Sequence, residues 1–352
     1  MITTEKNTFD RISEKLQTGQ NYIFGAGNLG KEIYEIFHKN SIYVKAFIDN
    51  HPKFENFCGI PIINLDKIEN RNANIIISSI NYMYELEKQA QEYGFTNTIS
   101  FGTLTEIFNE LQSFNPAYNG LREDYIKNKE KYAHLRSMLD DEHSKRVLDT
   151  LISYRQTLDS SVYAKIYDTN SVQYFEDFLP NCDVFVDGGS YDGENTVDFI
   201  SRFPDYKKIY LFEPDSESIK LAQAKLSEFN NIKYLEYGIS DESKVLKFDS
   251  RHNFGSVISE TGTTEIKCVS LDDIVQEDYA YIKLDIEGAE LDAINGAQRL
   301  ISNGSPLAIC VYHKPQDIWE LPARIKELYP KYKFKLRHYS SCIFETVLYA
   351  IP

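Results

Sequence analysis

The sequence predicts an α/β protein of two Rossmann-like, doubly wound domains, a small N-terminal one and a larger C-terminal one, joined by a helical connector. Three observations carry this expectation. An apolar strand, a glycine-bearing turn, a helix and a second strand ending in an acid occur in that order twice, from Asn21 to Asp49 and from Asp183 to Glu213. Each reads as the opening βαβ of its own sheet. Between them, Asn115 to Asp177 has no β-rich run, and Leu121 to Thr157 is dense in Lys, Glu, Arg, Leu and Tyr at roughly helical spacing. Finally, 352 residues exceed one typical core and suit two domains plus a connector. The expected boundaries are 1–112, 113–177 and 178–352.

In the first domain, Tyr22-Ile23-Phe24 is a strand that leads into Gly25-Ala26-Gly27-Asn28-Leu29-Gly30. This intact Gly-x-Gly-x-x-Gly opens a helix to about His38. Val44 to Ile48 is the next strand and ends at Asp49, 19 residues beyond Gly30. The context meets the dinucleotide fingerprint: Gly25, Gly27, Asn28 and Gly30 would approach a phosphate and Asp49 a ribose. Ile75 to Ser78 supplies another strand. The unit ends near residue 112, about half of what a full dinucleotide site spans. A nucleotide or nucleotide-sugar ligand is therefore at least as well supported as NAD(P). A structural or dimerising role, and with it a homodimer, stays open.

The connector begins at Asn115-Pro116 and Gly120 and should pack on the second domain. Its last stretch, Gln173-Tyr174-Phe175, is expected to fold over the second domain's strand tips, with Tyr174 as an apolar wall, a hydroxyl contact or sheet-edge packing.

In the second domain, the strand Val184-Phe185-Val186 runs into Asp187-Gly188-Gly189-Ser190-Tyr191-Asp192-Gly193 and a helix through Phe203. Acid-x-Gly-x-x-x-Gly makes a broader turn than the dinucleotide fingerprint, one suited to the amino-acid tail of a methionine-derived cofactor. The strand Ile209 to Phe212 then delivers Glu213, 20 residues beyond Gly193, where a carboxylate can accept from both ribose hydroxyls. Pro214 ends the pairing there. A third strand, Ile232 to Tyr237, delivers Gly238 to Asp241, with Asp241 as candidate acceptor for an adenine amino group. Alone, Glu213 reads as a solvated strand-end acid and Asp241 as turn chemistry; the ordered series favours a cofactor site. A fourth strand, Tyr281 to Leu284, ends in Asp285-Ile286-Glu287-Gly288-Ala289-Glu290. Leu307 to Val311 is a fifth, followed by His313-Lys314, and Lys333 to Arg337 with Thr346 to Ala350 forms a terminal antiparallel pair.

These residues resemble the FkbM family of methyltransferases, on Val186 to Thr196, Phe212-Glu213-Pro214, Gly238 to Asp241, Ser270 to Asp273 and Lys283 to Glu290. The likeness covers about half the chain, and more weakly Leu139 to Ser144 and Gln173 to Phe175. It implies a class I methyltransferase sheet, S-adenosylmethionine as cofactor, and O-methylation of a sugar or secondary-metabolite hydroxyl. Its cofactor residues here would be Asp187, Gly188, Gly189, Ser190, Tyr191, Gly193, Glu213, Pro214, Asp241 and Asp285. In the first domain, Phe47 to Asn50 and Gly59 to Ile62 resemble the small nucleotide-binding halves of bacterial sugar-modifying enzymes.

Methyl transfer to a hydroxyl needs an in-line geometry and removal of the hydroxyl proton. Asp285, at the tip of the fourth strand, is the first candidate for the base or acceptor-orienting group, with His313 second and Glu287 third. Glu290 reads as a first-turn acid favoured by the helix dipole. Lys283 alternates onto the face of Asp285 and should be paired with it or with the cofactor carboxylate. The acids from Asp285 to Glu290 do not reproduce a trusted metal-ligand spacing, so no metal is expected.

The formal charge of −15 argues against a nucleic-acid substrate, since phosphate contacts need clustered Lys and Arg. The segment after Asp285 also lacks the Asn/Asp-Pro-Pro-aromatic signature of enzymes that methylate base amino groups. Five scattered cysteines, none in Cys-x-x-Cys spacing, suggest neither a zinc site nor a disulfide framework. No apolar run is long enough to span a bilayer, and Met1 to Leu16 lacks a signal-peptide core. The expectation is a cytoplasmic enzyme that methylates a small-molecule or carbohydrate acceptor: a sugar, a glycan or a nucleotide-activated sugar. A NAD(P)-dependent oxidoreductase or epimerase-like enzyme using the N-terminal glycines is the alternative, and a non-catalytic nucleotide-binding module the second. Binding of S-adenosylhomocysteine as against NADH discriminates the three.

Overall fold

The computed structural model describes residues 2–168, 171–249, 257–258 and 264–352. They divide into two compact units: Met1–Arg122 with Thr150–Tyr167 and Ser340–Ile343, and Glu123–Asp149 with Asp168–Tyr339 and Phe344–Pro352.

The first unit contains α1 (Ile2–Thr18), β1 (Asn21–Phe24), α2 (Asn28–Lys39), β2 (Val44–Ile48), β3 (Asn56–Phe57), β4 (Ile60–Ile63), β5 (Asn74–Ile77), α3 (Met83–Glu92), β6 (Asn97–Ile99) and α4 (Phe101–Ile107). Its sheet runs β3-β4-β2-β1-β5-β6, parallel except for the β3–β4 pair. Five parallel strands correct the half-unit expected from sequence. The proline in β4 and the three-residue length of β6 had hidden two of them. Strands β1 and β5 are buried along their whole length, as strands covered on two faces must be. Helix α2 buries Leu29, Ile33, Ile36 and Phe37, the 3.6-residue stripe that packs it on the sheet. Two buried amides hold the entry: Asn21 Nδ2 donates to Leu16 O, and Asn74 Nδ2 to Lys15 O and Asn21 Oδ1.

The expected helical run resolves into α5 (Leu121–Lys127), α6 (Lys129–Met138) and α7 (Glu142–Thr157). Asn128 breaks it by turning its amide onto Asp124, and Asp141 restarts it by accepting from the Ser144 amide.

The second unit continues with β7 (Val184–Gly188), α8 (Glu194–Arg202), β8 (Lys208–Phe212), α9 (Ser216–Lys225), β9 (Ile232–Leu235), β10 (Gly238–Ile239), β11 (Lys244–Asp249), β12 (Val257–Ile258), β13 (Thr264–Val269), α10 (Leu271–Ile274), β14 (Tyr281–Leu284), α11 (Glu290–Asn295), α12 (Gln298–Ser302), β15 (Leu307–Cys310), α13 (Asp317–Leu328), β16 (Lys333–His338) and β17 (Thr346–Ile351). The main sheet has the order β16-β17-β15-β14-β7-β8-β9, with β17 antiparallel to both its neighbours and the other pairs parallel. Five parallel strands and a terminal antiparallel pair are as expected. The third strand, however, stops at Leu235: Gly238 and Ile239 instead pair with Cys268 and Val269 in a second sheet, β10-β13-β11-β12.

One face of the main sheet is sealed by aromatic packing, with Phe185 stacked on Phe199 at 4.3 Å and Phe175 edge-on to Phe185 at 5.9 Å. Burying a phenyl group of this kind contributes roughly 1.5–3 kcal/mol. On the flank, Lys131 of α6 lies 3.6 Å from the Trp319 ring of α13, and Trp319 Nε1 donates to Asp124. Among the described residues no helix is long and apolar enough to cross a membrane.

Candidate active site

In the second unit, the strand order reverses between β7 and β14, which is where doubly wound sheets open a crevice at their carboxyl ends. The two strand tips touch there. The Asp285 amide donates to Gly188 O at 3.1 Å, and Gly189 adopts φ +72 so close to Asp285 that a Cβ would lie 1.8 Å from its carbonyl oxygen. Only glycine fits. Gly188 is nearly as confined, since a Cβ there would meet Ile239 Cδ1 at 2.8 Å. The amides of Gly189 and Ser190 both reach Phe212 O, which ties the turn to β8, and Gly193 enters α8 at φ +81. Gly189→Ala is therefore expected to destabilise the protein by about 2–4 kcal/mol, through strain plus backbone overlap. Urea unfolding measures it, and a midpoint equal to wild type would contradict this account of the turn.

Two features of the turn suit a ligand. The Ser190 hydroxyl is buried with no hydrogen-bond partner among the described residues, an omission that buried polar groups rarely tolerate. Tyr191, by contrast, is 66% exposed and held at φ +48, a conformation that costs a bulky residue energy.

Asp187 is fully buried: Oδ2 accepts from Thr196 Oγ1 at 2.7 Å and Oδ1 lies 3.2 Å from Lys283 Nζ. In this position it supports the turn from beneath. Lys283 departs from its expected pairing. Its ammonium pairs with Asp187, not Asp285, and donates to the carbonyls of Gly188 and Gly189. Burial would discharge this lysine, but Asp187 and Asp285 outweigh burial and keep its pKa raised.

Glu213 stands at the tip of β8, largely buried. Its two oxygens are each aimed by one backbone amide, Oε2 by Tyr191 and Oε1 by Asp215, both at 2.9 Å. Burial pushes its pKa up, against the pull of those amides. After Pro214, Asp215 caps α9 by accepting from Ser218. Asp241 is tied by Oδ1 to Ser240 and to Lys244 at 2.5 Å, so the turn and an ion pair claim part of the carboxylate proposed for adenine.

Asp285 is the centre of a polar cluster. Its Oδ2 accepts from the Tyr174 hydroxyl at 3.0 Å and its Oδ1 from the Tyr312 hydroxyl at 3.3 Å, while His313 Nε2 lies 3.4 Å away. Burial would raise its pKa, but Lys283 and His313 together hold the carboxyl below the usual range. His313 faces Glu287 at 3.7 Å through Nε2 and Glu290 at 2.9 Å through Nδ1. Burial works against its charge, yet Glu290, Asp285 and Glu287 raise its pKa to about 10. The carboxyl is thus held ionised and the imidazole is held protonated below about pH 10. Glu287, more than half exposed, sits at φ +57 ahead of Gly288.

Sequence reasoning missed two members of this cluster and the burial of a third. Tyr312 follows β15 beside His313. Glu345 precedes β17, accepts from Gln173 Nε2 at 2.5 Å, and has its pKa raised by burial and by Asp285. Glu290, the expected first-turn acid of α11, is fully buried. Tyr174 and Phe175 both belong to the hydrophobic core, and Tyr174 also brings its hydroxyl to the cluster.

In the first unit, β1 and β5 flank the corresponding reversal. Gly25 has φ +122 and accepts from the Ser78 hydroxyl, and a Cβ on Gly30 would meet Gly25 O at 2.2 Å. Asn28 begins α2, and a Cβ on Gly27 meets no atom within 4 Å among the described residues. Asp49 folds back, its Oδ2 accepting from the Ala26 amide and its Oδ1 from the His51 amide, so the carboxylate meant for a ribose also braces its own loop.

Residues 187–336 match the Methyltransferase FkbM domain. Among solved structures, methyltransferase FkbM from Methylobacillus flagellatus KT is similar with a TM-score of 0.79 at 22% identity, over 98% of this chain and 93% of that one. That likeness is one of fold. An rRNA methylase from Streptococcus thermophilus, at 20% identity, covers 49% of this chain and 87% of its own with a TM-score of 0.32. A SAM-dependent methyltransferase from Aquifex aeolicus, at 12% identity, covers 55% and 98% with a TM-score of 0.30. No curated protein matches the chain.

Proposed function

We propose that the second unit, whose residues 187–336 match the methyltransferase FkbM domain, acts with S-adenosylmethionine to methylate a hydroxyl of a sugar, a glycan or a nucleotide-activated sugar. The observation that carries this reading is the cluster at the tips of β14 and β15. Asp285, His313, Tyr174, Tyr312 and Glu345 converge beside the glycine turn, and such hydrogen-bonding groups suit a polyhydroxylated acceptor.

Bound there, S-adenosylmethionine supplies an electrophilic methyl group on sulfur. Glu213 accepts from the ribose hydroxyls, the turn from Gly188 to Tyr191 with the Ser190 hydroxyl holds the amino-acid end, and Asp241 accepts from the adenine. Asp285 orients the acceptor hydroxyl, and His313 Nε2 takes its proton. Glu287 adds negative charge beside the imidazole. Holding the acceptor in line supplies much of the acceleration. A panel of hydroxyl acceptors, sugars, glycans and nucleotide sugars, assayed for S-adenosylhomocysteine release tests the reading. Turnover confined to amine or nucleic-acid acceptors would defeat it.

For the first unit we propose a phosphate-bearing ligand: a nucleotide, a nucleotide sugar or NAD(P). Supporting it are the glycine loop at the β1–β5 reversal and the helix that starts there, whose amides favour an anion. Gly27→Asp adds a negative side chain in open space at ordinary φ, so folding is expected to survive. The acceptor's KM should rise at least about tenfold, the cost of about 1.4 kcal/mol of lost anion affinity, with S-adenosylhomocysteine affinity unchanged. Tight NADH binding lost in the variant would favour the dinucleotide among these. Unchanged binding of every ligand would leave the unit a scaffold.

A further inference from the structure

We infer that Glu290 is the positioning residue of the site, fixing the His313 ring with its Nδ1 proton donated to Glu290 so that Nε2 is the nitrogen presented to Asp285 and Glu287. The inference rests on His313 taking the acceptor proton, as proposed above, and its geometry stands on two elements. Glu290 opens α11 and has no exposed surface. Its Oε1 accepts from the Ile286 amide at 3.0 Å and meets His313 Nδ1 at 2.9 Å. The first bond locks the carboxylate onto the turn that carries Asp285 and Glu287. The second locks the imidazole to the same turn.

A surface acid at a helix start gains little from such placement and would stay solvated. Burying a carboxylate is costly unless a cation or donors compensate, and here the compensating group is the imidazole. A histidine with a carboxylate on one ring nitrogen has its tautomer set by that bond, and the other nitrogen is left for chemistry. The surrounding charges act on the same ring. Asp285 and Glu287 face Nε2 from the β14–α11 turn. Asp317, at the start of α13, lies close enough to Glu290 that burial and this neighbouring acid raise its own pKa to about 7, with Lys314 opposing. Glu345, ahead of β17, also feels His313. Of these, Glu290 makes the shortest contact.

The test is nitrogen-15 NMR of the imidazole in the full chain, read against the pH dependence of kcat. In wild type, deprotonated His313 should keep its proton on Nδ1. In E290Q, which retains an oxygen for the bond and loses the charge, the His313 titration should fall by at least one pH unit. In E290A the proton should redistribute to Nε2 and kcat should fall about 10²-fold or more, with S-adenosylhomocysteine affinity held within threefold. A kcat limb that moves to lower pH in E290Q together with the titration upholds both readings. A titration that moves without the limb upholds Glu290's role and overturns His313 as the base. An unmoved titration in E290Q overturns the inference. So does wild-type His313 carrying its proton on Nε2, which needs no variant to fold.

Discussion

His313→Ala is expected to lower kcat by about 10²–10⁴-fold, the range over which a positioned base contributes. The affinity for S-adenosylhomocysteine should stay within a few-fold of wild type, because the residues proposed to hold it lie on the turn after β7, at the tip of β8 and just after β10. The pH profile adds a sharper discriminant. Carboxylates raise His313 to about 10, so in wild type kcat should climb with unit slope through the neutral range toward that value. Asp285, whose carboxyl is held below the ordinary range, would as sole base give a rate already flat there. A flat profile with a mild His313→Ala defect would transfer the base role to Asp285. The same raised pKa bears on folding. His313's contribution to stability is fully present below the ordinary histidine value and is lost as pH rises through about 10. Wild type should therefore lose stability over that alkaline window, and His313→Ala should lose less.

Glu213→Ala should weaken S-adenosylhomocysteine binding by at least about tenfold. Hydrogen bonds to a charged acceptor are worth roughly 1.5–3 kcal/mol each, and about 1.4 kcal/mol is tenfold in affinity. The variant also releases the Tyr191 and Asp215 amides that the carboxylate holds, so Glu213→Gln is the gentler companion. Burial raises Glu213's pKa, so its bonds to the ribose should fail as pH falls through a value above the ordinary carboxylate range. Calorimetric titration across pH reads both effects. Unchanged affinity in folded Glu213→Ala would mean that the cofactor lies elsewhere.

What the sequence determined by itself was whatever chain-local physics controls. Strand–turn–helix order, glycines with left-handed φ and acids at strand tips all express themselves within a dozen residues. Thus β7, β8, β14, β15 and the terminal pair were legible, as were the positions of Gly189, Gly193, Glu213 and Asp285. Short or proline-bearing strands such as β4 and β6, and the small sheet through β10 and β13, were not, because pairing partners rather than periodicity define them. Side-chain partnerships were the other blind spot. Alternation along β14 placed Lys283 on the face of Asp285, but adjacent parallel strands brought Asp187 to it, and a buried ammonium takes the nearest buried carboxylate. Glu290 was legible as a helix-start acid, but its burial against His313 was not. Tyr312 and Glu345 carry no local signal at all. The chain alone could say which groups stand at the carboxyl ends of the strands. Only tertiary packing decided which are buried together, and the charges so brought together, working against burial, set one carboxyl low and one imidazole high and so assign them different chemistry.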